Sequence, residues 1–184
     1  MLDKEILSEL IREDAIISLQ SHYERKWMVE LEEPSVQDSK VKINNIPDDT
    51  IVIRLNVFPA LSAMFRSRKG ECKCADFIII SPEKKCILYI EMKRTKDKWN
   101  SIVEQLTGAM CFVEYCRVIG REFWGERNFL TGYKKRFISI SHTSMSKSPT
   151  RPNPVAGVDS CDTPSTAMKI NRPGTLQFRM LSGC

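Results

Sequence analysis

The chain has 184 residues, of which 42% are hydrophobic and 28% charged, with a formal net charge of +5. That composition is ordinary for a soluble globular protein and is long enough to bury a substantial core in a single domain, residues 1–184. No run of about eighteen apolar residues occurs, which excludes a membrane-spanning helix, and seven cysteines, an odd number, argue against a disulfide framework.

The first residues, Met1-Leu2-Asp3-Lys4-Glu5, lack the basic start and apolar stretch of a secretory signal. The expected compartment is therefore intracellular, cytoplasmic or nuclear, with reduced thiols. Cys72-Lys73-Cys74 is too tight for a CxxC knuckle and the histidines, His22 and His142, lie far off, so a structural zinc site has little support. Residues 3–19 read as one amphipathic helix, with Ile6, Leu7, Leu10, Ile11 and Ile17 on one side and Glu5, Glu9, Arg12 and Glu13 on the other. His22 reads as a surface or capping residue. Residues 26–32 suit a strand. Residues 33–49, polar and carrying Pro34 and Pro47, suit a loop with room for a short edge strand at 41–43. Residues 51–58 suit a strong strand stopped by Pro59, followed by a helical turn over 60–65 and a basic loop over 66–73.

Two apolar runs come next, Phe77–Ile80 and Cys86–Ile90, separated by Ser81-Pro82-Glu83-Lys84-Lys85. Proline with clustered charges is turn chemistry, so the pattern predicts a β-hairpin. Asp76 enters its first strand, and Glu91 and Lys93 leave its second. The fold-back brings both carboxylates to one end of the sheet. Side chains alternate along a strand, so Glu91 and Lys93 share a face while Met92 points away. Two hard oxygen donors beside an ammonium suit Mg²⁺ or Mn²⁺, with lysine orienting a water or neutralising phosphate charge. Residues 61–100 hold ten Lys or Arg against five acids, an excess equal to that of the whole chain. Arg66, Arg68, Lys69, Lys73, Arg94 and Lys96 in this stretch are candidate contacts to a nucleic-acid backbone.

After Lys93 the period becomes helical. Ile102, Leu106, Ala109, Met110, Val113 and Cys116 define one face from about Trp99 to Arg117. Residues 122–133 mix Phe123, Trp124, Phe129 and Tyr133 with basic residues, which reads either as core between a helix and a strand or as a grip on single-stranded nucleic acid. Residues 136–141 alternate as a strand. A Pro/Ser/Thr-rich loop follows over 143–174, and 175–181 reads as a final edge strand.

Asp76, fourteen residues, then Glu91-Met92-Lys93 resembles the motif of the PD-(D/E)XK nuclease superfamily, closely over the hairpin and more loosely over residues 72–141. Ala75 stands where that motif's name has proline, a position at which the family pattern is loose. The resemblance implies an α/β fold: a central mixed β-sheet flanked by helices, with a restriction-endonuclease-like core (αβββαβ) over about 51–141. It implies a metal-dependent nuclease acting on DNA or RNA, in which Asp76, Glu91 and the Met92 carbonyl hold Mg²⁺ or Mn²⁺ and Lys93 serves the water. It also makes Glu9 or Glu13 on the first helix, and Gln105 on the later one, candidate accessory residues beside their plain reading as surface groups. A homodimer is compatible with the sequence. The competing classes are a non-catalytic nucleic-acid-binding module on the same fold and a protein-interaction domain.

Overall fold

The computed structural model describes residues 2–23, 26–33, 40–59, 61–93, 98–141, 161–171 and 174–183. Its elements in chain order are α1 (Asp3–Leu10), β1 (Ile16–Ile17), β2 (Gln20–Tyr23), β3 (Lys26–Leu31), β4 (Val41–Ile46), β5 (Ile51–Arg54), β6 (Phe77–Ser81) and β7 (Cys86–Lys93). There follow α2 (Trp99–Phe123), β8 (Lys134–Ser141), β9 (Met168–Asn171), β10 (Thr175–Gln177) and α3 (Phe178–Ser182). The fold is α/β with two mixed sheets.

The main sheet has the order β1-β5-β6-β7-β8-β9. Its first four strands pair antiparallel, whereas β7–β8 and β8–β9 are parallel. The β6–β7 hairpin runs in register from Phe77 opposite Ile90 to Ser81 opposite Cys86. Both of its faces are covered, which is why each strand is nearly continuous in apolar residues instead of alternating. On one face, Ile78, Ile80, Ile87, Tyr89 and Phe137 meet Ile6 and Leu7 of α1 and Ile102, Leu106, Ala109, Val113 and Cys116 of α2. Tyr89 and Phe137 stack there with ring centroids 4.6 Å apart. On the other face, Phe77, Ile79, Leu88, Ile90, Met92, Ile138 and Ile140 meet Val29, Leu31, Val41 and Ile43 of the second sheet, together with Phe178 and Leu181 of α3. The second sheet has the order β10-β4-β3-β2, with β10 parallel to β4. The main sheet thus lies between a helical layer and a second sheet.

Several expectations need correction. The first helix stops at Leu10, because Ile11 is extended and the β-branched pair Ile16–Ile17 forms an edge strand against Ile53 and Val52. The strand allowed at 41–43 runs to Ile46 and lies inside the second sheet, where Val41, Ile43 and Ile46 are buried. The strand expected over 51–58 ends at Arg54. Leu55 still donates its amide to the Asp76 carbonyl (2.8 Å) before the chain turns away. The helix expected to end near Arg117 continues to Phe123.

Of the expected 143–174 loop, residues 143–160, 172 and 173 lie outside the described residues. Met168–Asn171 is no loop, since it extends the main sheet as β9 with Met168 buried in the second core. The final expected strand stops at Gln177. Phe178 and Leu181, three apart and both buried, form the inner side of a short helix whose Leu181 carbonyl accepts from Arg136 Nε (3.2 Å). The aromatic stretch 122–133 divides: Phe129 is buried and Trp124 and Tyr133 pack on the core, but Phe123 is exposed.

Candidate active site

The start of β6 and the end of β7 lie at one end of the hairpin. Asp76 immediately precedes the Phe77–Ile90 pair, and Glu91 immediately follows it. Phe77, Ile90 and Met92 face the second sheet, so alternation turns Asp76, Glu91 and Lys93 toward the helical layer. Asp76 is anchored there by the backbone of the opposite strand, since Met92 N donates to its Oδ2 at 2.7 Å. Glu91 has no exposed surface, and its Oε1 lies 2.7 Å from Lys93 Nζ. Its Oε2 is buried without a hydrogen-bond partner among the described residues. Lys93 retains 24% exposure, so its ammonium stands between the buried carboxylate and solvent.

A third acid lies beside Asp76. Glu33, just beyond β3, shares a hydrogen bond with Asp76 and accepts another from Asn56 Nδ2 at 2.8 Å. A bond between two carboxyls requires a proton on one of them. The local balance is therefore three acids against one described ammonium. Burial raises both strand carboxyls. Asp76 rises to about 6, opposed by the Met92 amide and assisted by Glu33. Glu91 rises to about 8, assisted by the charge of Asp76 and opposed by Lys93. The set thus offers a backbone-anchored carboxyl, a second carboxyl with a buried oxygen unpartnered among the described residues, and one described ammonium. Oxygen donors of this kind suit a hard divalent cation such as Mg²⁺ or Mn²⁺, for which Asp76 and Glu91 would be the ligands.

The remaining candidates are placed unevenly. Gln105, in the second turn of α2, has a buried Oε1 with no hydrogen-bond partner among the described residues. It lies one turn before Gly108, where α2 meets the chain entering β6. A Cβ at Gly108 would stand 1.8 Å from the Lys73 carbonyl oxygen, so only glycine lets the helix approach this closely. Glu9 is not brought to the site. Its Oε2 accepts from Trp124 Nε1 at 2.9 Å, beyond the other end of α2 and about 28 Å from Gln105 along the helix axis. Arg66, Arg68 and Lys69 are exposed on the loop leading to β6. Lys73 is half-buried and bound to Glu104 Oε2 (2.6 Å) and Ser101 Oγ (3.2 Å), which ties that loop to α2. Arg94 and Lys96 lie outside the described residues.

Among the described residues six thiols are free, and burial pushes that of Cys74 up to about 12, which leaves it a poor nucleophile. A further group of acids, Asp48, Asp49 and Glu83, gathers at the opposite end of the hairpin. There Asp49 Oδ2 accepts from the Glu83 amide at 2.6 Å, joining two turns, and Asp48 and Glu83 are exposed. Sequence reasoning passed over Glu33 because Glu32-Glu33-Pro34 at a strand end looks like any solvated acidic turn. Only the packing of the second sheet beneath β6 brings it to Asp76. Among the described residues no helix is long and apolar enough to cross a membrane. Comparison with protein-family models, curated proteins and solved structures finds no match to this chain.

Proposed function

We propose that this chain is a divalent-metal-dependent nuclease that hydrolyses phosphodiester bonds in nucleic acid at Asp76, Glu91 and Lys93. The observation that carries the reading is the buried Glu91, held opposite a backbone-anchored Asp76 and 2.7 Å from Lys93. Two further features support it. With the intervening β1–β4 set aside, the order α1, β5, β6, β7, α2, β8 is the one an αβββαβ core would have. The exposed Arg66, Arg68 and Lys69 supply positive charge on the chain entering the site, suited to a phosphate backbone.

In this reading Asp76 and Glu91 hold Mg²⁺ or Mn²⁺, with the Met92 carbonyl as a further ligand. The ion supplies charge neutralisation at phosphorus and lowers the pKa of a water. Asp76 is kept in position by the Met92 amide, so once the Glu33 contact is released its other oxygen would be presented without loss of side-chain order. Lys93, on the same face and partly exposed, orients the attacking water and stabilises the charge that develops on the phosphate oxygens. Gln105 offers an unpaired oxygen from α2 to hold a water or a substrate hydroxyl. Base identity is not read by any of these groups, since phosphate contacts position without specifying sequence.

The test is calorimetry with Mn²⁺ alongside digestion of a plasmid and of labelled DNA and RNA oligonucleotides. Asp76→Asn should lose the binding heat and the cleavage together. Lys93→Ala should retain metal binding and lose cleavage. Cleavage that survives both substitutions would remove this site from the reaction.

A further inference from the structure

Beside the carboxylates lies a groove of about 970 Å³ between α2 and the chain that joins β5 to β6. Its lining is mainly apolar and includes Phe58, Met64, Phe65, Phe112 and Tyr115. Phe58 and Phe112 stack with centroids 5.4 Å apart, while Phe65 and Tyr115 remain 51% and 66% exposed, unusual for aromatic side chains facing a cavity. The groove and the acids share neighbouring residues. Asn56 lines it and donates to Glu33, which is bonded to Asp76, and Cys74, two residues before Asp76, lines it too.

The charge of the walls narrows what can occupy it. Of the lining acids, Glu71 accepts from the Arg68 and Lys69 amides at 2.9 and 2.7 Å, and Glu104 is paired with Lys73 at 2.6 Å. Both are satisfied internally. The Arg66, Arg68 and Lys69 side chains have no carboxylate partner among the described residues and stand exposed on the same loop. Aromatic faces with cations at their edge, next to a phosphodiester-hydrolysing centre, match a polyanion whose bases are unstacked.

From this we infer that the groove takes unpaired nucleobases, so that the substrate is single-stranded where it enters the site. The inference rests on the proposed nuclease reading and names its substrate class. A base inside a duplex presents only its edges and cannot lie against Phe65 or Tyr115 without leaving the helix. DNA and RNA share the base and phosphate chemistry involved.

The experiment uses the full chain in EDTA, so that binding is read apart from cleavage. The probes are single-stranded oligonucleotides carrying 2-aminopurine, as DNA and as RNA, and the same strands annealed to complements. Single strands should bind at least tenfold more tightly than duplexes, with a change in 2-aminopurine fluorescence on stacking. Phe65→Ala and Tyr115→Ala, both at exposed positions, should each weaken single-strand binding about tenfold while Mn²⁺ heats stay at the wild-type value. A DNA or RNA preference in these arms identifies the source of the strand. Equal affinity for duplex and single strand, or unchanged affinity in both variants, overturns the inference; duplex cleavage with normal Mn²⁺ binding would then leave the nuclease reading standing. Stacking in the groove without any Mn²⁺ binding would uphold the inference and sink the nuclease reading instead.

Discussion

Glu33 changes the chemistry of Asp76 without belonging to the hairpin. Its charge and its shared hydrogen bond both favour the protonated Asp76, and a cation would have to break that arrangement. With a cation at the proposed site, the same carboxylate would add negative charge close to it, and through Asn56 it is tied to the wall of the groove. Groups that orient ligands from outside typically contribute 10–100-fold to metal affinity. Glu33→Gln should therefore weaken Mn²⁺ binding by roughly that factor, measured by calorimetry at pH 8. Unchanged affinity would reduce Glu33 to a packing residue. Glu91 gives a second test at this scale. Its folded-state pKa is raised from 4.5 to about 8, so the folded protein holds more protons than the unfolded chain across that interval. Without metal, stability is then fully present below about pH 4.5 and lost as pH rises through about 8. The slope has an upper bound of about 1.4 kcal/mol per pH unit. Thermal melts in EDTA from pH 5 to 9 should show this decline, and Glu91→Gln should flatten it. A melting temperature that climbs with pH in the wild type alone would contradict the assignment.

The close approach of α2 to the chain entering β6 sets the distance between the helical layer and the acids. Gly108 permits it, since a methyl group there would collide with the Lys73 carbonyl, a backbone atom that cannot swing away. Overpacking of this kind costs about 1–3 kcal/mol, and the displacement would fall on Lys73–Asp76. Gly108→Ala should lower the melting temperature and reduce cleavage by far more than its loss of stability explains. Equal activity per folded molecule would mean that α2 does not position the site. The hairpin itself was legible, because its two Ile-rich runs and the Pro-Glu-Lys-Lys turn have no competing helical period. Its end charges were legible with it, as alternation alone fixes the shared face of Glu91 and Lys93. The apolar stripe of α2 could be read for the same reason. The second sheet could not. Val41, Ile43 and Ile46 are three apolar residues among polar ones, and their strand is defined by partners in β3 and β10 that lie far away in sequence. Glu33 depends on that long-range packing, and the groove on the docking of α2 against the chain that joins β5 to β6, so both were invisible. Glu9 failed for the opposite reason: helical periodicity showed which side of α1 it occupies, but nothing local showed that this end of α1 meets the last turn of α2.

Across the whole molecule, the main sheet is covered on both faces and its acids gather at one end, Glu91 buried and Asp76 and Glu33 partly so, with more acids than described ammonium groups to pair them. Such an arrangement is stable alone only by keeping protons on carboxyls that would otherwise ionise. In the proposed reading a divalent cation would replace those protons, making binding and proton release one event. At pH 7, below the value of about 8 that burial gives Glu91, binding should release a proton; above it, release should fall toward zero. Calorimetry in buffers of different ionisation enthalpy reads this number directly. The same linkage fixes the stability effect: free Mn²⁺ at a hundred times its dissociation constant should add about 2.7 kcal/mol. For a chain of this size that raises the melting temperature by roughly 5–10 °C. Because protons compete for the same oxygens, the gain at a fixed Mn²⁺ concentration should be larger at pH 8 than at pH 6. Asp76→Asn should abolish it at both. A gain of equal size in that variant would place the ion elsewhere, with the exposed Asp48, Asp49 and Glu83 at the far turn as the first alternative, distinguished by Asp49→Asn.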